Sequence, residues 1–571
     1  MKNLFSITLI FLFAATPFAQ QERDTLRTDE IVVVKPYTPT ISDAFKLKDN
    51  PSIDNNNQQK DSITYSFFSV PVASTFTPSK GKAQSVVREP IDKIYDNFVA
   101  VGFGNYTTPH VEAFVHSSSS RSNDFGAFLK HHSSSGGIKD VLVDDNFSDT
   151  HLTLFYKQFE RDYNWETQLG LNHQIFNWYG LPQDITYDDN FISSIDSKQS
   201  YLNVFANGKI RFESGIFKGG DLKINYFGDD YSSSEIQASV TPEIEFPISS
   251  ELINMPTKLE YITGSFNQNY LTNDDINYSF LNIGASPGLE VLRDNLSINL
   301  GARVYYSFDL ENQENQFYAY PNITASYKIM EEALIAYVGA TGDLEQNSYR
   351  EFTQDNPFVA PTLNMQQTDQ QYNAFLGAKG KLAANVGYNF KASYQSERNK
   401  AMFINNPTKT DGTILPTNAY EAGNSFGVVY DDVKTLGVAA NLEFYISKEL
   451  TVDGNVTYNN FTTDEQSKAW NLPTLTATAS ANYTTKKWYA GADLYFANER
   501  YDFVVPFGGT PEEVKLDAYV DLNLNGGYKF TDRLSAFVRL NNIISTNYER
   551  YTNFEVQGIQ ALGGVIYKFD F

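Results

Sequence analysis

The stretch Gln560-Ala561-Leu562-Gly563-Gly564-Val565-Ile566-Tyr567-Lys568-Phe569-Asp570-Phe571 decides the fold. In an extended chain, side chains alternate between two faces. Val565, Tyr567, Phe569 and Phe571 share one face; Gly564, Lys568 and Asp570 share the other, with Ile566 the exception. One face is apolar with aromatics at its end, and the other is polar. A strand that finishes on an aromatic needs a partner for its edge and a non-aqueous medium for its face. A closed barrel in a membrane supplies both.

The other end agrees. Lys2 opens a short charged region, Leu4–Phe13 is apolar, and Ala14-Ala15-Thr16-Pro17-Phe18-Ala19 leads to a cleavage site near Ala19 or Gln20. Residues 1–20 are expected to be a secretory signal, being too short for a membrane helix. There are 0 cysteines, which excludes a lipoprotein anchor, disulfides and thiolate chemistry. No later run is long and apolar enough to span a bilayer as a helix. The 43 Phe and 37 Tyr exceed what a soluble core needs and are expected as girdles at the two membrane interfaces. A net charge of −24 argues against nucleic acid as a partner.

From residue 97 onward the period of two persists. Val520, Leu522, Leu524, Tyr528 and Phe530 face one way, against Asp521, Asn523, Asn525 and Lys529. Leu534, Ala536, Val538 and Leu540 alternate with Ser535, Arg539 and Asn541 after a turn at Thr531-Asp532-Arg533. A helical period would scatter these residues. Short turns such as Arg293-Asp294-Asn295 alternate with long polar connections at 181–198, 346–370, 406–424 and 502–517. That asymmetry is expected of periplasmic turns and extracellular loops, with both termini periplasmic. Counting back predicts an all-β, transmembrane antiparallel barrel over 97–571 of about 22 strands, with about 20 as the alternative if the hairpin around Pro109 fails. Strands at 257–270, 276–291, 488–503 and 534–548 belong to this set.

Residues 21–96 are rich in Asn, Gln, Ser, Pro and charge, with a single glycine, Gly81. They are read as a periplasmic or lumenal segment without a core of its own. Within it, Asp29-Glu30-Ile31-Val32-Val33-Val34 is a β-prone patch.

With Leu540-Asn541-Asn542-Ile543-Ile544, Tyr548-Glu549-Arg550-Tyr551 and Gly563–Phe569, the chain resembles the barrel of TonB-dependent outer-membrane receptors. The resemblance implies an outer-membrane location and solute uptake or gating. Asp29–Val34 looks like the TonB box, where an energising periplasmic protein adds a strand and pulls; a short strand against the barrel wall is the other reading. Tyr567, Phe569 and Phe571 resemble the C-terminal signal read by barrel-assembly machinery. Such receptors carry an N-terminal plug, and 21–96 is short for one, so at most a residual plug is expected. The lumen is then blocked by that segment, by infolded loops or by a partner. Implied partners are outer-membrane lipid, the assembly machinery, a TonB-type protein, and a surface lipoprotein or other outer-membrane subunit. An accessory barrel subunit is the alternative function, and a passive porin the third.

No catalytic, cofactor or metal site is expected. His110, His116, His131, His132, His151 and His173 crowd one stretch. Alternation sends His116, His132 and His151 inward and His131 and His173 outward, so they do not converge on one ion. The acidic pairs Asp144-Asp145, Asp188-Asp189, Asp229-Asp230, Asp274-Asp275 and Asp431-Asp432 lack the glycine spacing of a calcium loop and read as solvated surface. Gly284-Ala285-Ser286-Pro287-Gly288 matches a hydrolase elbow, but in a barrel strand it reads as a bend.

Overall fold

The computed structural model describes residues 93–571, apart from 121, 249–250 and 273. The leader, the box-like Asp29–Val34 and most of segment 21–96 lie outside the described residues.

Each strand pairs antiparallel with its neighbour in sequence, and the first pairs with the last. Asn97–Gly104 runs against Gln560–Phe569, with Asn97 opposite Phe569 and Gly104 opposite Leu562. The sheet thus has no open edge. The segments Ile276–Ala285 and Gly288–Arg293 share the same two neighbours and form one interrupted strand, so the closed barrel has 22 strands. The hairpin at Pro109 forms. Tyr106 (φ 56°) and Thr107 (φ 49°) take the left-handed region, and Pro109 pairs with Phe103 in the second strand, Thr108–Ser120.

Alternation sorts the side chains as the sequence implies. Val101 and Phe103 are 48% and 62% exposed on the outer face, while Ala100 and Gly102, which alternate with them, are buried. On the last strand Val565 and Tyr567 face out, and Tyr567, Phe569 and Phe571 form a continuous ring column with centroids 6.1 and 5.6 Å apart.

Four expectations change. The strand expected at 488–503 ends at Ala497, and Arg500–Val504 turns away to pair with Glu512–Leu516. The strand expected at 534–548 stops at Asn541, beyond which the chain forms a small hairpin of Glu549–Tyr551 and Phe554–Glu555. The strand expected at 257–270 begins at Glu251 and ends at Phe266. Finally, the aromatics are not spent only on girdles. An outer girdle exists, as at Tyr156 and Trp165, 5.2 Å apart. Yet Phe98, Phe114 and Phe155 stack inward at 6.3 and 5.8 Å, and the fully buried Trp178, Trp470, Tyr349, Tyr420 and Phe554 lie in connections between barrel strands. Period-two reading assigns a strand face; it is blind to loops.

Candidate functional site

The long connections all emerge at one end of the barrel, and they are not loose polar loops. Trp178 starts the connection 178–197, which includes helix α1 (Asp189–Ser194), and is 0% exposed. Its indole Nε1 donates to the Phe358 carbonyl (3.2 Å), and its own carbonyl accepts from Asn424 Nδ2 (2.7 Å). Its ring lies 5.4 Å from both Tyr231 and Tyr420. The next residues continue inward. The Tyr179 hydroxyl donates to the Glu555 carbonyl (2.8 Å), and Phe358 stacks on Phe554 at 3.8 Å. Phe554 fills the space where a Cβ on Gly180 would stand, at 2.5 Å.

These partners come from strand connections well separated around the ring: 178–197, 347–366, 406–425 and 542–559. Side chains from such positions meet only if the loops cross the mouth. The result is a cap with its own apolar core, including Trp178, Phe266, Tyr349, Phe352, Phe358, Tyr420, Phe426 and Phe554. Burial of that much aromatic surface is what holds it shut.

Helix α2 (Tyr349–Asp355) is latched to the wall. Ser348 caps it by accepting from Glu351 N (3.1 Å). The backbone N–H of Tyr349 donates to buried Glu235 (2.7 Å), whose carboxylate also accepts from the Tyr278 hydroxyl (2.7 Å). The Tyr349 hydroxyl donates to Asp229 (2.8 Å). A carboxylate at a helix N-terminus is the stabilising polarity. Asp229, read as solvated surface, is therefore a cap anchor.

A second anchor is Asp502. It is 0% exposed and accepts from Asn405 N (3.1 Å), Phe503 N (2.8 Å) and Thr552 Oγ1 (2.6 Å). It ties the hairpin 500–516 to the loop 542–559. Burial pushes its carboxyl up to about 6, against the pull of those donors. Beside it, the Arg500 guanidinium donates to the carbonyls of Glu549 (2.6 Å) and Arg550 (2.5 Å). Lys409 Nζ sits 4.5 Å over the Tyr270 ring and pairs with Glu421.

Below the cap, the lumen wall is divided by charge. Glu443, Asp453, Ser480, Asp493 and Asn523 stand directly opposite one another on five consecutive strands, an acidic row facing inward. Ser480 Oγ donates to Asp493 (2.7 Å). The row borders a polar recess of about 400 Å³ that Arg539 and Asn541 also line. Beyond Arg539 the wall becomes imidazole and aromatic. His110 lies 5.7 Å from His132, ring to ring, and Arg539 Nη1 is 3.4 Å from His110 Nε2.

A closed 22-strand barrel with a loop-built cap at one end narrows the family. The profile described as "TonB dependent receptor-like, beta-barrel" matches residues 93–543. The chain belongs to this family. Solved TonB-dependent receptors share the fold. The pyoverdine outer membrane receptor FpvA from Pseudomonas aeruginosa PAO1 aligns with a TM-score of 0.60 at 14% identity, over 84% of this chain and 79% of that one. The FrpB iron transporter from Neisseria meningitidis, apoprotein form, gives 0.61 at 12%, over 84% and 82%. The ferric enterobactin receptor PfeA from Pseudomonas aeruginosa gives 0.60 at 10%, over 83% and 80%. Curated protein sequences offer no match. Membership makes this an outer-membrane β-barrel of a receptor and transport class rather than an enzyme class.

The remaining residues singled out from the sequence fall as follows. His110, His116, His132 and His151 face the lumen, since His110 pairs with His132 and Lys130 with His151 in register. His131 and His173 face out. His116 Nδ1 is 2.8 Å from Asp124, and His151 Nδ1 is 2.5 Å from Asn172 Oδ1, so they bond to strand neighbours. Ser286 sits in the interruption of its strand, where its N–H donates to the Pro256 carbonyl (2.9 Å). Tyr567 and Phe569 stand on the closing strand, and Phe571 follows two residues beyond its end, its ring against Phe569. The cap was not foreseen as a core. Its signal was present in the clustering of Tyr349, Phe352, Phe358 and Tyr420 inside connections read as polar.

Proposed function

We propose that this receptor-type barrel moves or gates a solute across the outer membrane through a lumen sealed by its own loops. The observation that carries this reading is the cap centred on Trp178, whose core joins loops from around the whole ring. The capped end faces the outside, and both termini lie in the periplasm, since short turns suit the side from which strands insert. Residues 1–20 serve as the leader, and 21–96 form a residual plug at most. Asp29, Glu30, Ile31, Val32, Val33 and Val34 act as the box on which a TonB-type protein adds a strand. Tyr567, Phe569 and Phe571 address the chain to the assembly machinery.

The same cap favours a second reading over a passive porin. A barrel closed by its own loops can serve as an accessory subunit of a larger outer-membrane assembly, including one with a surface lipoprotein. Deleting residues 29–34 separates the two. Loss of uptake and of crosslinking to the energising protein supports coupled transport; unchanged behaviour removes it. Extraction in mild detergent followed by mass measurement then reports on the assembly, where a lone monomer counts against the subunit reading. Planar-bilayer recording tests the seal itself: a large steady conductance of the whole chain defeats both.

A further inference from the structure

His131 and His173 are the two histidines that the lumen and cap do not use, and they stand where an apolar girdle is expected. On strand Lys198–Phe212 the faces are unambiguous. Gln199, Tyr201 and Asn203 are 0%, 1% and 7% exposed on the inner side, while Leu202 and Val204 are 37% and 42% exposed outside. Lys198 and Ser200 share the outer face with Leu202 and Val204. Register then defines three outward rows. The lowest is fully apolar: Leu129, Leu152, Leu171 and Val204, each directly opposite the next. The row above is His131, Thr150, His173 and Leu202. The third holds Ser133, Ser148, Ile175 and Ser200. The change from leucine to imidazole and hydroxyl happens in one step on adjacent strands.

Its height is meaningful. On the strand Tyr163–Asn177, outward Tyr163 and Trp165 begin the apolar band, and His173 follows ten residues after Tyr163. At about 3.3 Å per residue and a tilt of about 40°, that is about 25 Å, the full height of a barrel's apolar band. The histidine row therefore meets the bilayer at headgroup level, in the leaflet nearest the long loops. The groups there are mostly donors. His131 Nδ1 is 2.8 Å from Thr150 Oγ1, and its Nε2 is 3.3 Å from Ser133 Oγ; His173 Nε2 is 3.1 Å from Ser200 Oγ. Lys198 stands one outward position above Ser200, and among the described residues no carboxylate pairs with it in an ion pair.

We propose that His173, Ser200 and Lys198 form a lipid site on the outer wall that takes the phosphate of a membrane-lipid headgroup, with the acyl chains lying along Leu171, Leu202 and Val204. An ammonium and an imidazole beside a hydroxyl match a phosphate's acceptor oxygens, and the apolar row directly below matches its chains. A bare phosphate ion has no use for that row. The contacts anchor the barrel in height and bind phosphorylated over neutral lipid.

Native mass spectrometry of the full-length protein tests this, in detergent with equal amounts of phosphatidylglycerol and a galactosyl diacylglycerol of matched chains. The native chain retains phosphatidylglycerol about tenfold better, the scale of one or two charge-assisted hydrogen bonds. H173F/K198Q, which places a lipid-compatible ring at the interface, retains the two lipids equally. K198Q alone loses about half of the preference on a logarithmic scale, consistent with the worth of one basic residue near a membrane surface. Heat-modifiable gel migration checks that each variant is a folded barrel, and K198Q, at an exposed rim position, provides the readout should the double variant fail to fold. Equal retention of both lipids by the native chain overturns the proposal, as does an unchanged preference in a folded variant. Displacement of phosphatidylglycerol by millimolar inorganic phosphate also overturns it, by showing an ion site. Loss of a co-purifying protein with lipid retention intact overturns it in favour of a protein-docking face.

Discussion

Replacing Trp178 by alanine is the sharpest perturbation of the sealed mouth. The side chain is 0% exposed, and its removal leaves a cavity between Tyr231 and Tyr420. It also leaves the Phe358 carbonyl without its 3.2 Å donor. Truncating a buried tryptophan costs about 3–5 kcal/mol. The barrel ladder does not include Trp178, so the loss falls on the equilibrium between closed and open cap. At about 1.4 kcal/mol per factor of ten, the open population rises between about a hundredfold and a few thousandfold. Trypsin reads that population, because Lys409 and Arg500 are both tied into the cap. When opening is fast relative to cleavage, the cleavage rate follows the open fraction. W178A should thus be cut at Lys409 and Arg500 at least about a hundred times faster, while its barrel keeps native heat-modifiable migration. Equal cleavage of the native chain and W178A would refute the argument that the Trp178 core holds the loops together. Rapid cleavage of both would show that the cap is open in solution.

Further outcomes follow from the same geometry. Asp502 titrates near 6 in the folded cap, above the ordinary carboxylate value of 3.8, because burial disfavours its charge. The folded cap therefore holds the proton over that interval while an opened loop has released it, so cap stability is full below about 3.8 and declines as pH rises through about 6. Tryptic cleavage measured against pH, with allowance for the enzyme's own profile, should rise across this window, and D502N should flatten the curve. Gly180→Ala brings a Cβ to 2.5 Å of the Phe554 ring, and overpacking of about 1–3 kcal/mol should raise cap cleavage without W178A's larger effect. Gly564→Val puts atoms against the Val101 carbonyl and the Phe537 ring, at 2.4 and 2.6 Å from the new Cβ, where the last strand meets the first. Its barrel should lose heat-modifiable migration at a lower temperature than the native one, and an unchanged transition would show that the closing seam gives way easily. Phe571→Ala should reduce the folded barrel recovered from cells while leaving refolding in detergent unchanged; equal defects in both would assign Phe571 to stability instead of recognition.

Much of the architecture was legible because barrel strands obey a local rule. Whether Val565 or Tyr567 meets lipid depends on a period of two that twelve residues display, and the same rule placed His131 and His173 outside. Turn lengths carried the strand count, and the hairpin at Tyr106 and Thr107 needed only two left-handed residues. Where the chain left the rule, the reading overran it: Arg500–Val504 alternates well enough to look like barrel, yet pairs with Glu512–Leu516 in a loop. Asp229 looked like a solvated pair with Asp230 because nothing nearby in sequence reveals the Tyr349 hydroxyl.

Closure by Phe569 and its strand is therefore a property of the sequence by itself: alternation, turns and a terminal apolar face demand a sealed sheet in a membrane. The cap is a decision of tertiary structure. Trp178 finds Phe358 and Asn424 across 180 and 246 residues of chain, and its neighbours Tyr179 and Gly180 meet Phe554 from farther still. Such contacts have no period and no local signature. They exist because the barrel first brings the loop bases into a ring, after which aromatic side chains that no strand can bury have only one another to pack against.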